Sequence, residues 1–164
     1  MIRSCAGLPL AEVRTVARVT EVGLPEPSAS EASVACRTLL DATRKRLEDK
    51  GVAAADVDVA QVYENFTGGV VMALIEHGFC TYDEAEAFLT FDNLIAPHGR
   101  LPLNTSGGNL AECYMHGLGL QLEAVRQLRG ESCNQVPGAR VALAAAGPMV
   151  PVTSTCVYGT AEAA

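Results

Sequence analysis

Two apolar segments near the C-terminus, "ARVALAAAG" and "TSTCVYGT", are separated only by the turn-forming stretch "GPMVP". Short apolar runs bounded by Gly and Pro are typical of strands, so the two segments predict an antiparallel hairpin. Further strand patterns lie upstream at Leu10–Val22, at Val57–Phe66 and in "RLPLN". Helical patterns separate these strands, and such alternation favours an α/β fold. The sequence therefore predicts a mainly parallel sheet that a C-terminal hairpin closes.

The predicted helices follow from apolar periodicity and from the residues at their ends. Ser28 or Ser30 can cap a helix over Ala32–Leu47, and Gly51 ends it. A second helix begins near Gly68–Gly69 in "TGGVVMALIEHG". The remaining predictions are a short helix over Thr81–Leu89, a loop over Phe91–Pro102 and a long helix over Leu110–Arg129.

The amino-acid composition limits the classes of protein to which this chain can belong. The chain has 164 residues, of which 49% are hydrophobic and 19% charged, so we expect one globular domain over residues 1–164. The longest apolar runs, of about ten residues, are too short to span a bilayer. A net charge of −7 disfavours binding to nucleic acid. No basic and apolar leader follows Met1, so a cytoplasmic location is expected.

The six cysteines predict neither a metal site nor disulfides. None of them forms a CxxC pair, which makes a zinc site improbable. In a cytoplasmic chain we expect reduced thiols, most of them small core residues. Cys113 is a candidate nucleophile, although an inert buried thiol is the more common case.

The strongest candidate site is "NTSGGNLAECYMHGLG", residues 104–119. Tyr114 and His116 lie near a predicted helix start, after Gly107 and Gly108. A helix start offers free N–H groups and a partial positive charge, which suit an oxyanion. The alternative is a glycine-rich bend that only leads into a helix. The segment is not a phosphate-binding P-loop, because no Gly-Lys-Ser/Thr follows.

Other polar side chains have a functional and a structural interpretation. Tyr63 follows a strand and could donate a hydrogen bond to an oxyanion, or it could fill the sheet edge. Tyr158 in the last strand is more typical of packing. Glu64 and Asn65 are expected as polar groups at a helix start. The histidines at 77 and 98 are expected to cap a helix or face solvent.

Four motifs occur in the order and spacing of a known family. They are "ADVDVAQVYENFTGGV", "LPLNTSGG", "MHGLGLQLEAVRQLRG" and "ARVALAAAGPMVPVTSTCVYG". Together they resemble the C-terminal half of thiolase-superfamily proteins, from about Leu10 to Gly159. The resemblance implies a thiolase-like α/β half with a mixed five-stranded sheet, helices on both faces and a closing antiparallel hairpin.

The closer likeness is to the lipid-transfer-protein or sterol-carrier type. "YENFT", "GFCTYDEAEAFL", "GRLPLNTSGGNLAE" and "EAVRQLRG" resemble that subgroup. Some of its members are aldolases that cleave steroid side chains on acyl-CoA substrates, in complex with a small zinc-ribbon/OB-fold protein. The resemblance thus implies retro-aldol cleavage of a β-hydroxyacyl-CoA thioester, with no cofactor bound by this chain.

The resemblance also assigns site residues. True thiolases carry an acid/base Cys in the closing hairpin, where this chain reads "AAAGPMVP", so thiolase chemistry is not expected. In the aldolase-like subgroup, tyrosines replace the catalytic residues of the thiolases. Tyr114 is hypothesised as base, Tyr158 as acid and Tyr63 as oxyanion donor, all at one sheet end; His116 competes with Tyr114 for one role. The expected substrate-binding residues are Asn65, Asn104, Ser106, Gly107 and Gly108.

A complete thiolase-type subunit has two similar halves, and this chain corresponds to one. We expect a second chain to supply the N-terminal half, a zinc-ribbon/OB-fold partner, and homodimerisation of the assembled unit. A fragment or isolated domain is an alternative origin. The alternative functions are a non-catalytic thiolase-fold partner, and an acyltransferase subunit whose nucleophilic Cys lies on another chain.

Overall fold

The structure is a computed structural model that describes residues 13–22, 41–112, 114–146 and 152–161, with the backbone alone for 13–22. Its four strands are β1 (Val13–Val22), β2 (Val59–Val62), β3 (Val141–Ala146) and β4 (Val152–Thr160). They form one sheet in the order β1-β4-β3-β2. β2 is parallel to β3, whereas β4 is antiparallel to both of its neighbours. Three strands thus share one direction, and the closing hairpin of β3 and β4 is confirmed.

The fifth predicted strand, "RLPLN", is reduced to one isolated bridge between Ala60 and Leu103. The Ala60 amide donates to the Pro102 carbonyl (3.0 Å), and the Asn104 amide donates to the Ala60 carbonyl (2.9 Å). The chain then turns, because Asn104 has a left-handed φ of 47°. Its side chain takes over the next pairing position: Oδ1 accepts from the Val62 amide (2.7 Å) and Nδ2 donates to the Val62 carbonyl (2.9 Å). A side-chain amide therefore replaces the rest of the strand.

The helices are shorter and more numerous than predicted. Helix α1 is described over residues 41–48, and a 3₁₀ turn covers Ala54–Asp56. The others are α2 (Thr67–Glu76), α3 (Ala85–Phe88), α4 (Phe91–Leu94), α5 (Gly108–Ala111) and α6 (Leu118–Arg129). The N-terminal part of the predicted helix Ala32–Leu47, with its Ser caps, lies outside the described residues.

Two helix predictions need correction. The predicted loop Phe91–Pro102 contains α4, whose start is capped because the Thr90 side chain accepts from the Asn93 amide. The single helix predicted over Leu110–Arg129 is interrupted between α5 and α6. His116 (φ 50°) and Gly117 (φ 83°) both have left-handed backbones there, which no α-helix can accommodate.

Helices cover both faces of the sheet, as predicted. Successive strand residues point to opposite faces. Leu143 and Ala145 of β3 therefore join a buried cluster with α1 and α2, while Ala142 and Ala144 join another with α6. None of the helices in the described part is long and apolar enough to cross a membrane.

Candidate active site

Two tyrosines far apart in sequence meet just beyond the C-terminal end of β2. Tyr63 directly follows β2, and its amide donates to the Ala145 carbonyl (2.9 Å), so the sheet fixes its backbone. The hydroxyl oxygens of Tyr63 and Tyr114 are 2.5 Å apart. Tyr114 is 55% exposed, which leaves the pair open to a ligand. Of the predicted site residues, these two are therefore brought together.

His116 lies beside the same pair. Its ring centroid is 5.0 Å from that of Tyr114, with the ring planes tilted by 50°. The sequence left open whether Tyr114 or His116 faces this position. Both are adjacent to it, and Tyr114 is the residue whose hydroxyl reaches Tyr63.

The surroundings of the pair disfavour ionisation of the Tyr63 hydroxyl. The hydrogen bond with Tyr114 raises the pKa of the Tyr63 hydroxyl; partial desolvation and the neighbouring Glu64 charge act in the same direction. Either of the two hydroxyls can be the donor in this hydrogen bond.

Tyr158 does not join this pair, so the expectation that three tyrosines converge is wrong for it. Tyr158 is paired with Ala142 of β3, which is in turn paired with Val59 at the start of β2. Its backbone is therefore four residues, about 13 Å, from the level of Tyr63. Its hydroxyl donates to Gln121 Oε1 on α6 (2.6 Å), and its ring packs against the α6-side cluster.

The side chains of Glu64 and Asn65 both accept hydrogen bonds from backbone amides. The Glu64 carboxylate accepts from the backbone amide of Asn109 and, at 3.2 Å, from its side-chain amide. It therefore lies at the start of α5, rather than at the start of α2, which follows it in sequence. Asn65 is exposed, and its Oδ1 accepts from the Phe66 amide (3.1 Å).

The turn over residues 104–108 packs closely against other parts of the protein. A Cβ at Gly108 would come within 2.3 Å of Glu64 Oε1, and the Gly108 φ is +66°. The Gly107 amide closes the turn by donating to the Asn104 carbonyl (2.7 Å). Ser106 carries a buried hydroxyl oxygen with no hydrogen-bond partner among the described residues. A substrate contact for these residues stays a prediction.

A buried polar network behind this turn was missed by the sequence reasoning. Glu123 and Gln127 of α6 are 2% and 1% exposed, yet they belong to the helix face that packs on the sheet. Glu123 Oε1 accepts from the Thr105 hydroxyl (2.6 Å) and from Gln127 Nε2 (3.0 Å). The available signal was a pair of polar residues, four apart, among the apolar residues Leu120, Ala124 and Leu128.

A groove of about 480 Å³ lies on the other side of the turn. Its walls are the apolar side chains around α4 together with Leu103, Asn104, Thr105 and Asn134. The polar groups at its floor are engaged within the protein: Asn134 Nδ2, for example, donates to the Thr105 carbonyl (2.8 Å). Polar and apolar surface line the groove in similar amounts.

The remaining cysteine and histidine predictions are partly confirmed. Of the described cysteines, Cys80 is buried, Cys156 is half-buried and Cys133 is exposed, so only Cys80 is a core residue. Cys113 lies outside the described residues. His77 is a cap at the end of α2, but a buried one, whereas His98 is exposed. Within the described ranges, no group of three or more His, Cys, Asp or Glu could hold a metal ion.

Comparison with known proteins identifies the family of this chain. The profile of the family described as "Thiolase C-terminal domain-like" matches residues 26–160. The chain belongs to this thiolase C-terminal domain-like family. The resemblance inferred from the four sequence motifs is thereby confirmed.

Several similar proteins carry aldolase or lyase names. The chain is 44% identical over 116 residues to a 17-hydroxy-3-oxo-4-pregnene-20-carboxyl-CoA lyase of Mycobacterium tuberculosis, covering 71% of the chain and 30% of the relative. It is 43% identical over 109 residues to a steroid side-chain-cleaving aldolase of Thermomonospora curvata, covering 66% and 27%. A rat (Rattus norvegicus) sterol carrier protein 2 is 33% identical over 108 residues, covering 63% and 19%.

A solved structure, an Ltp2-ChsH2(DUF35) aldolase, has the same fold. It superposes with a TM-score of 0.83 at 33% identity, covering 94% of this chain and 41% of the other. The chain thus spans less than half the length of each of these proteins. Its similarity is to the part of them that carries the thiolase-like C-terminal fold.

Proposed function

We propose that this chain is part of a heteromeric thiolase-fold lyase that performs retro-aldol carbon–carbon cleavage, or the reverse aldol reaction. The observation that carries the proposal is the exposed hydroxyl pair of Tyr63 and Tyr114, 2.5 Å apart at the end of β2. The names of the two most identical relatives above support the reaction class. The substrate we propose is a β-hydroxyacyl thioester of the coenzyme A type, such as a steroid side chain.

The pair can supply the proton transfer that such a cleavage needs. Tyr114, in its phenolate form, takes the proton of the substrate β-hydroxyl, and the adjacent C–C bond breaks. The electron pair of that bond passes to the thioester as an enolate, whose carbon then takes the proton back from Tyr114, so that the Tyr114 phenolate is regenerated. We propose that Tyr63 is the donor in the hydrogen bond between the two hydroxyls and so orients the Tyr114 oxygen. We assign no step to Tyr158, because its hydroxyl is held by Gln121.

Completion of the site by other polypeptides is part of the proposal. The chain covers 41% of the solved aldolase, so more than half of that chain has no counterpart here. We propose that a second chain supplies the N-terminal thiolase half, that a zinc-ribbon/OB-fold protein binds the assembly, and that the assembly dimerises. The name of the solved aldolase joins two components, Ltp2 and ChsH2, which supports a heteromer.

Substitution of the tyrosine pair tests the chemistry. In the complex purified from the native host, Tyr63→Phe and Tyr114→Phe should each lower the turnover of a β-hydroxyacyl-CoA by about 100-fold or more, because each removes a hydroxyl of the proposed proton-transfer pair. Tyr82→Phe is the matched control, because Tyr82 is 79% exposed and outside the pair. Wild-type turnover in both Tyr63→Phe and Tyr114→Phe would contradict the proposal.

Affinity purification from the host with mass spectrometry tests the assembly. We expect a stoichiometric partner with a thiolase N-terminal half. Recovery of the chain alone, as a monomer, would rule out the heteromer. A complex that transfers acyl groups through a partner's cysteine, or one without activity, would replace the lyase by one of the two alternative functions.

A further inference from the structure

Glu123 accepts hydrogen bonds from its own helix and from two other segments. Its Oε1 accepts from the Thr105 hydroxyl of the turn (2.6 Å), from Gln127 Nε2 of α6 (3.0 Å) and from the Ser132 hydroxyl after α6 (2.7 Å). All three contacts need an acceptor, and a carboxylate only accepts. A carboxylate that is 2% exposed is costly to bury, so its donors must hold it in place.

Thr105 carries this connection into the turn. Its side-chain oxygen also accepts from Gln61 Nε2 (2.9 Å), and its carbonyl accepts from Asn134 Nδ2 (2.8 Å). Thr105 is thus fixed through both its side chain and its backbone. The preceding residue, Asn104, has a left-handed backbone that is uncommon outside glycine.

Asn104 transmits the position of the turn to the tyrosine pair. Both polar atoms of its side chain bond to the backbone of Val62, at 2.7 and 2.9 Å. Val62 is the last residue of β2, and Tyr63 follows it. A shift of the turn would therefore pull on the backbone that aims the Tyr63 ring at Tyr114.

We propose that Glu123 is a positioning residue: its buried carboxylate fixes the turn over residues 104–108 and thereby, through Asn104, the placement of Tyr63. The importance of this placement for catalysis rests on the proposed function. The effect of Glu123 on the position of the turn is independent of the proposed function. It predicts a specific loosening of the Asn104–Val62 contact when the carboxylate is removed.

Amide hydrogen exchange on the full chain separates this role from a general one in stability. The Val62 amide reports the Asn104 contact, whereas the Asp58 amide donates to the Val141 carbonyl at the other end of β2 and is an internal reference. In Glu123→Ala, exchange at Val62 should accelerate about tenfold or more relative to Asp58. Glu123→Gln, which keeps an oxygen acceptor, should leave the ratio near that of wild type, as should Glu131→Ala at an exposed position.

Thr105→Val provides a second route if Glu123→Ala fails to fold. It removes the hydroxyl link to the carboxylate and should produce the same change in the ratio. Parallel acceleration at both amides would overturn the proposal, since it would show only global destabilisation. In the active complex, Glu123→Ala should lower kcat at least tenfold with KM within about twofold. If the wild-type complex has no lyase activity, the proposed function fails while the exchange ratio still tests the positioning role.

Discussion

At the scale of single residues, Gly117 links backbone conformation to the tyrosine pair. It precedes α6 with a φ of +83°, and a Cβ there would lie 2.9 Å from Cδ2 of Tyr63. A side chain at this position would therefore meet both a conformational penalty and the ring of the proposed donor. The short linker between α5 and α6 is thus fitted to Tyr63 as well as to the helix.

Gly117→Ala should destabilise the protein by more than Gly130→Ala, its matched control. Gly130 has a similar left-handed φ of +70°, but nothing lies within 4 Å of its would-be Cβ. The control should cost about 1–2 kcal/mol from conformation alone. Gly117→Ala adds displacement of the Tyr63 ring, so it should also lower turnover in the complex. Urea unfolding measures the stabilities, and equal losses in the two variants would contradict the contact with Tyr63.

At the scale of elements, the sequence predicts those strands and helices that depend on a local pattern of residues. The four strands β1 to β4 follow from short apolar runs, and α6 follows from apolar periodicity that ends at Gly130. "RLPLN" has the same local pattern and fails, because the Asn104 side chain replaces the strand beyond Leu103. That replacement depends on a partner 42 residues away, which no local window contains.

His77 joins two elements and should make their packing sensitive to acid. The Ala73 carbonyl only accepts, so His77 Nδ1 donates to it (2.8 Å) and Nε2 accepts from the Thr155 hydroxyl of β4 (2.9 Å). Burial lowers the pKa of His77, and the nearby Arg44 charge lowers it further, although the Ala73 hydrogen bond and Glu76 oppose this. The neutral ring is therefore the form that fits between α2 and β4.

A lowered pKa in the folded state means that stability is fully present above the unfolded pKa and is lost as pH falls towards the folded one. The free energy of unfolding should therefore fall below about pH 6.5, by up to about 1.4 kcal/mol per pH unit. His77→Gln should be less stable at neutral pH but lack this slope. His98→Gln, at an exposed histidine, should keep it. Urea unfolding between about pH 7.5 and pH 5.5 measures both, and an unchanged slope in His77→Gln would refute the assignment.

At the scale of the whole molecule, the candidate site shows where sequence reasoning succeeds. Tyr63 and Tyr114 were predictable because each lies next to a motif whose place in the fold is known. Tyr158 was misplaced because its level in the sheet depends on the register of β4 against β3. Glu123 was missed because its position among the apolar residues of α6 indicates burial but does not identify the segments that supply its donors.

The distribution of exposed apolar side chains leads to a prediction about assembly. Of the nine large hydrophobic residues that are exposed among the described residues, five lie between positions 110 and 122: Leu110, Tyr114, Met115, Leu118 and Leu122. Such a concentration marks an interaction surface, and it adjoins the tyrosine pair. We therefore expect the proposed partner chain to cover the start of α6.

Leu118→Glu and Leu122→Glu should each abolish co-purification of the partner chain while leaving the fold intact. Both side chains are about half exposed, at 48% and 46%, so a charge costs little in the isolated chain but much when the surface is covered. Pull-down from the host, with circular dichroism of the purified variants, measures the two effects. Tyr82→Glu is the control, since Tyr82 is exposed on a different segment and should leave the complex unchanged. Full recovery of the partner with both leucine variants would place the interface elsewhere on the chain.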